Sequence, residues 1–136
     1  MTYFTRNTAI VLAGVLSLTA GVLFAQVPGL TRVIVGKGDV SVPGREALIS
    51  RLEAMPGFKA GRHTHPGDEM TYVMEGEITL IIDGEPPRQV KAGEAFVVPA
   101  GVVHDAHNNT SGLIKLVAVH VVEKGKPLVT LTANPS

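Results

Sequence analysis

From Leu30 onward the chain is a succession of short apolar runs broken by Gly and Pro, with the alternation of apolar and polar positions that a half-buried strand requires. The pattern predicts strands over 31–35, 47–54, 61–65, 70–75, 77–82, 95–98, 102–107 and 113–121. Turns are predicted at Asp83-Gly84, Pro86-Pro87, Ala92-Gly93, Pro99-Ala100-Gly101 and over 108–112. No amphipathic helical pattern competes after residue 30. The spacing predicts an all-β fold, an antiparallel sandwich or jelly-roll barrel. In the last long run, LIKLVAVHVV, Leu116, Ala118 and His120 share one face while Val117, Val119 and Val121 share the other. With both faces apolar, that strand is expected to be buried on both sides, and His120 then needs a partner.

The first 25 residues are a different material. After Arg6 no charged residue appears until Arg32, and TAIVLAGVLSLTAGVLFA is almost wholly apolar or small. This predicts a secretory signal peptide over 1–25, cleaved so that the chain starts near Gln26. The rival reading is an uncleaved anchor helix, since the stretch matches the ~17–25 residues that span a bilayer. Either version sends the barrel, residues 26–136, out of the cytoplasm.

Those residues suffice for one domain with its own core and no more. Twelve basic and twelve acidic residues cancel and are spread along the chain, so no basic stripe marks a nucleic-acid or anionic-membrane surface. Cysteine is absent, which excludes disulfides, zinc-thiolate sites and thiol nucleophiles; any metal must be held by nitrogen and oxygen.

Nitrogen and oxygen ligands are concentrated in two segments. In GFKAGRHTHPGDEMTYVMEG, residues 57–76, His63 and His65 lie two apart and so point to the same side of one strand. Pro66 and Gly67 are expected to turn the chain and bring Glu69 back to the same point. In GEAFVVPAGVVHDAHN, residues 93–108, His104 follows a second Pro/Gly break. Its distance from Glu69 in sequence is too great for local geometry to decide whether it joins the other three.

These segments resemble the two motifs of the cupin superfamily. The first, G-x5-H-x-H-x3-E-x6-G, is met by Gly57, His63, His65, Glu69 and Gly76. The second, G-x5-P-x-G-x2-H-x3-N, is met by Gly93, Pro99, Gly101, His104 and Asn108. With flanking strands the likeness runs from Thr31 to Thr130, and no second copy of the motifs is present. The resemblance implies a single-domain jelly-roll barrel in which His63, His65, Glu69 and His104 hold one divalent transition metal, with Glu69 also able to take a proton. Such a set suits Fe, Mn, Ni, Cu or Zn and leaves positions open to water, O2 or substrate.

The remaining candidates have two readings each. Thr71 shares the parity of Glu69 and is expected to line the cavity with Phe96, whereas Tyr72 faces away. His120 is either a cavity-lining group or a histidine at a dimer contact. Arg51 either pairs with Glu53 on the surface or binds a substrate carboxylate. His107, three residues after His104, should face away from it, and Asn108 should serve its turn. The leading functional expectation is a dioxygenase-type enzyme acting on a small organic molecule. The alternatives are oxygen-independent isomerase, decarboxylase or lyase chemistry at the same site, or a secreted metal- or ligand-binding module. A homodimer is expected, as is common for small single-domain members of the superfamily.

Overall fold

The computed structural model describes residues 27–133, so the segment read as a leader lies outside the described residues. Ten strands follow in order: β1 (Leu30–Asp39), β2 (Arg45–Ala54), β3 (His63–Thr64), β4 (Gly67–Glu75), β5 (Glu77–Ile82), β6 (Arg88–Lys91), β7 (Ala95–Val98), β8 (His104–His107), β9 (Ile114–Glu123) and β10 (Thr130–Leu131). They form two five-stranded sheets, β1-β2-β9-β4-β7 and β10-β3-β8-β5-β6, and every pairing is antiparallel. This is the all-β jelly-roll sandwich expected of the apolar pattern. Among the described residues no helix is long and apolar enough to cross a membrane.

Period-two alternation builds the core. Leu52 and Ala54 of β2, Ile114, Leu116 and Ala118 of β9, Val73 of β4 and Phe96 and Val98 of β7 all point inward. They meet Ile78, Leu80 and Val90 of the second sheet, and all are buried. The strand β9 departs from expectation. Its inner residues are buried, but Val117, Val119 and Val121 are only partly covered, because nothing packs over the outer face of its sheet among the described residues.

Gly67 also has a role other than the expected one. It opens β4, paired with Val122, and its φ is not positive. The requirement is space: a Cβ there would stand 1.9 Å from the Val121 carbonyl oxygen. Gly67 thus allows β4 to lie close against β9, which places Glu69 opposite His120.

Asn108 closes the opposite end of the barrel. It is fully buried, donates from Nδ2 to the carbonyls of Ala54 and Gly112, and accepts at Oδ1 from the backbone N–H and hydroxyl of Thr110. One side chain therefore ties the end of β2 to the 108–112 turn.

Candidate metal centre

The site forms where the two sheets face each other. In the second sheet, β3 and β8 pair with His63 directly opposite His104. From the first sheet, β4 sends Glu69 and Thr71 inward. His65 lies just past the end of β3 rather than within it, and its ring stands edge-on to that of His63 at 4.8 Å between centroids. The ligand atoms of His63, His65, Glu69 and His104 all lie within 4.8 Å of one another, and all four residues are buried.

The outer nitrogens of the three imidazoles are fixed by backbone. His63 Nδ1 is 2.6 Å from the carbonyl of Gly61, His65 Nδ1 is 2.6 Å from that of Leu128, and His104 Nδ1 is 3.0 Å from that of Val102. A carbonyl oxygen only accepts, so each Nδ1 carries the proton and each Nε2 presents its lone pair to the centre. Such anchoring sets ring orientation and tautomer in metal-ligating histidines. His65 Nε2 lies 2.9 Å from Glu69 Oε2 but off the axis a hydrogen bond needs, which leaves it buried without an aligned partner. A buried lone pair with no donor, beside two more imidazoles and a carboxylate, is the donor set a divalent transition metal takes. The residues fit the group.

Glu69 is held from both ends. Its Oε1 accepts a 2.7 Å hydrogen bond from the Thr71 hydroxyl, and its Oε2 lies 3.2 Å from His104 Nε2. Burial opposes its ionisation, but the imidazoles of His104 and His65, with the nearby His120, outweigh it and hold the carboxyl well below its usual range. Burial likewise opposes the charged form of His104, yet the hydrogen bond to Glu69 and the one to Val102 raise its pKa. A cation bound at the centre would take the His104 Nε2 lone pair in place of any proton shared with Glu69. Burial pushes His63 down to about 4 and His120 down to about 3.

The candidates outside the tetrad separate clearly. Thr71 and Phe96 border the small cavity of about 50 Å³ that adjoins Glu69, His63 and His104. His120 does not border it. Fully buried, it stands behind Glu69 with Nε2 3.7 Å from Oε2, and neither ring nitrogen has a hydrogen-bond partner among the described residues. Arg51 lies away from the cavity, exposed on the outer face of β2 opposite Val33 and Val117, because its parity opposes that of the inward Ser50 and Leu52. His107 pairs with Asp105 at 2.9 Å, and Tyr72 is half exposed. Sequence reading overlooked Arg32 of β1, which borders the same cavity as Glu69. A charge interrupting the otherwise apolar run LTRVIV was the available signal. A larger, open groove of about 630 Å³ between Pro86, Arg88 and Val97 contains none of the four ligands; Phe96 is the wall it shares with the cavity.

Comparison with known proteins places this geometry. Residues 50–120 match the family model described as "Cupin domain". The HTH-type transcriptional regulator PuuR of Escherichia coli (strain K12) is 30% identical over 93 residues, covering 68% of this chain and 48% of that protein. Nectarin-1 of Nicotiana plumbaginifolia is 38% identical over 76 residues, covering 50% of this chain and 33% of that protein. The chain thus spans half or less of the length of these curated relatives. Among solved structures, a recombinant oxalate oxidase in complex with glycolate superimposes with a TM-score of 0.60 at 25% identity, covering 79% of this chain and 57% of that one. With the jelly-roll sandwich, the buried tetrad and a family match spanning more than half its length, the chain belongs to the cupin family.

Proposed function

We propose that the protein is a metal-dependent enzyme acting on a small organic molecule, an O2-using oxidoreductase of dioxygenase type. The observation that carries the reading is the convergence of three Nε2 lone pairs, each aimed by a backbone carbonyl behind it, with one carboxylate beside a cavity. A structural metal site would be closed, whereas this one borders a small cavity, which supports the reading. The likeness to oxalate oxidase, itself crystallised with glycolate, supports chemistry on a small oxygenated molecule.

His63, His65, Glu69 and His104 would hold one divalent transition metal, which supplies Lewis acidity and, if redox-active, electron exchange with O2. The chain's own residues do the rest. Thr71 keeps Glu69 turned toward the imidazoles, and Glu69, ionised at neutral pH, is the proton acceptor for an acidic substrate hydroxyl or C–H. Phe58, Phe96 and Leu116 make the far wall apolar and limit water. Oxygen uptake by the metal-loaded chain, measured over a panel of enols, phenols and hydroxy acids, tests the reading. Substrate-dependent uptake that disappears in Glu69→Gln supports it, and turnover of the same panel under anaerobic conditions replaces it with isomerase, decarboxylase or lyase chemistry.

A non-catalytic ligand-binding role is favoured by one finding, the match to a protein named as a transcriptional regulator. It would appear as ligand-induced stabilisation without turnover. We further propose export, with a mature chain beginning near Gln26, which the N-terminal mass of the secreted protein tests. A homodimer is proposed through the outer face of the first sheet, where Ile49, Tyr72, Met74 and Val97 are exposed.

A further inference from the structure

Four basic side chains are half-buried among the described residues: Arg32, Arg45, Arg62 and Lys115. Three have partners. Arg45 donates to the Val121 carbonyl, Arg62 pairs with Asp83 and Lys115 pairs with Glu75. Arg32 makes no hydrogen bond or ion pair with any described residue. It sits on the inner face of β1, across the ladder from Leu52, and borders the small cavity together with His63, Glu69, Thr71 and His104.

An arginine stays ionised in a protein, and taking that charge partly out of water without a counter-ion is costly. Among the described residues Glu69 is the one carboxylate bordering the cavity; it attracts Arg32 but makes no ion pair with it and is already engaged by Thr71 and His104. Once a divalent metal occupies the tetrad, Glu69 offsets one of three positive charges and the cavity retains two. A neutral ligand leaves that imbalance in place, whereas a carboxylate relieves it. Guanidinium recognises carboxylate through paired N–H donors at fixed spacing.

We propose that Arg32 is the anion-recognition residue of this site and that the ligand is a small organic acid, its carboxylate received by the Arg32 guanidinium. The cavity, at about 50 Å³, has room for a few non-hydrogen atoms, which suits a small acid. This rests on the metal-site reading above, and it adds a substrate class and a residue outside the ligand set.

Titration calorimetry of the full chain loaded with Mn(II), using glycolate and its uncharged analogue glycolamide, tests the proposal. Metal content is measured on each sample. Arg32→Met should weaken glycolate by about 10- to 100-fold, the usual worth of charge-assisted hydrogen bonds. It should leave glycolamide within about twofold and metal content unchanged. Arg32→Lys, which keeps the charge without the fork, should recover part of the loss, while the outward Arg51→Met should change nothing. Equal weakening of both ligands in Arg32→Met would mark a merely structural residue and overturn the proposal, as would unchanged glycolate binding. Failure of wild type to take up manganese or any of Fe(II), Ni(II), Cu(II) and Zn(II) would refute the metal site instead. Glycolate titrated into metal-free wild type and Arg32→Met would then decide the role of Arg32 separately, equal binding overturning it.

Discussion

Gly67→Ala is the smallest change that should damage both fold and site. The added Cβ would lie 1.9 Å from the Val121 carbonyl oxygen and 2.6 Å from Val122 Cα. Both are backbone atoms of β9, a strand paired on one side with β2 and on the other with β4, so neither can swing aside as a side chain would. Reaching even a 3.0 Å contact requires the strands to part by about 1 Å at this point. Overpacking of this kind costs about 1–3 kcal/mol, and a weakened ladder bond adds about 1 kcal/mol. The expected loss is about 2–4 kcal/mol, or roughly 10–20 °C in Tm for a domain of this size. Since Glu69 lies two residues along β4, metal retention should fall with stability. Gly38→Ala is the matched control: it also lies in a strand, has no positive φ and would meet nothing within 4 Å. Urea unfolding of both variants is the assay. A Gly67→Ala variant within about 0.5 kcal/mol of wild type, indistinguishable from Gly38→Ala, would refute the close approach of β4 to β9.

Asn108→Ala strips a buried side chain of four hydrogen bonds and should cost about 2–4 kcal/mol with metal affinity little changed, read by unfolding and metal titration. In the chelated protein, His63 and His120 have folded pKa values of about 4 and about 3 against an ordinary 6.5, so the unfolded chain takes protons first as pH falls. Their contribution is complete above pH 6.5 and is lost toward pH 4 and below, His63 alone accounting for about 3 kcal/mol. Glu69, held below its usual range, adds a loss below about pH 4.5, while His104, raised, contributes stability that is fully present below 6.5 and is lost as pH rises through its folded value. Tm should therefore fall between pH 7 and 4; a flat or rising Tm contradicts the buried neutral imidazoles. Light scattering should give twice the chain mass, and Val97→Glu or Tyr72→Glu on the outer sheet face should halve it, whereas a monomeric wild type rules out the proposed dimer.

Most of the architecture was legible because period-two alternation and Gly/Pro breaks are side-chain signals. Two strands were not. The four residues of β6, RQVK, bury only Val90, and β10 is two exposed residues, so neither offers a period to read. Conversely β4 begins earlier than expected, since a glycine required for close approach looks in sequence like a glycine required for a turn. The tetrad was legible through motif resemblance, whereas its orientation was not. The carbonyls of Gly61, Val102 and Leu128 that aim the rings are backbone groups, invisible to any side-chain pattern. Arg32 and Arg51 mark the same limit for charges. Both sit in apolar runs, and only the register of β1 and β2 determines that the first faces the cavity and the second faces away.

The proposed chemistry requires that the buried tetrad hold a metal. Elemental analysis of the protein purified without nickel resin, beside a His63→Ala, His104→Ala double variant of equal secondary structure, tests it most directly. We expect about one equivalent of a divalent transition metal per chain in the wild type and almost none in the variant. No stable uptake by the wild type after reconstitution with Fe(II), Mn(II), Ni(II), Cu(II) and Zn(II) would contradict the claim and leave the tetrad a hydrogen-bonded polar cluster.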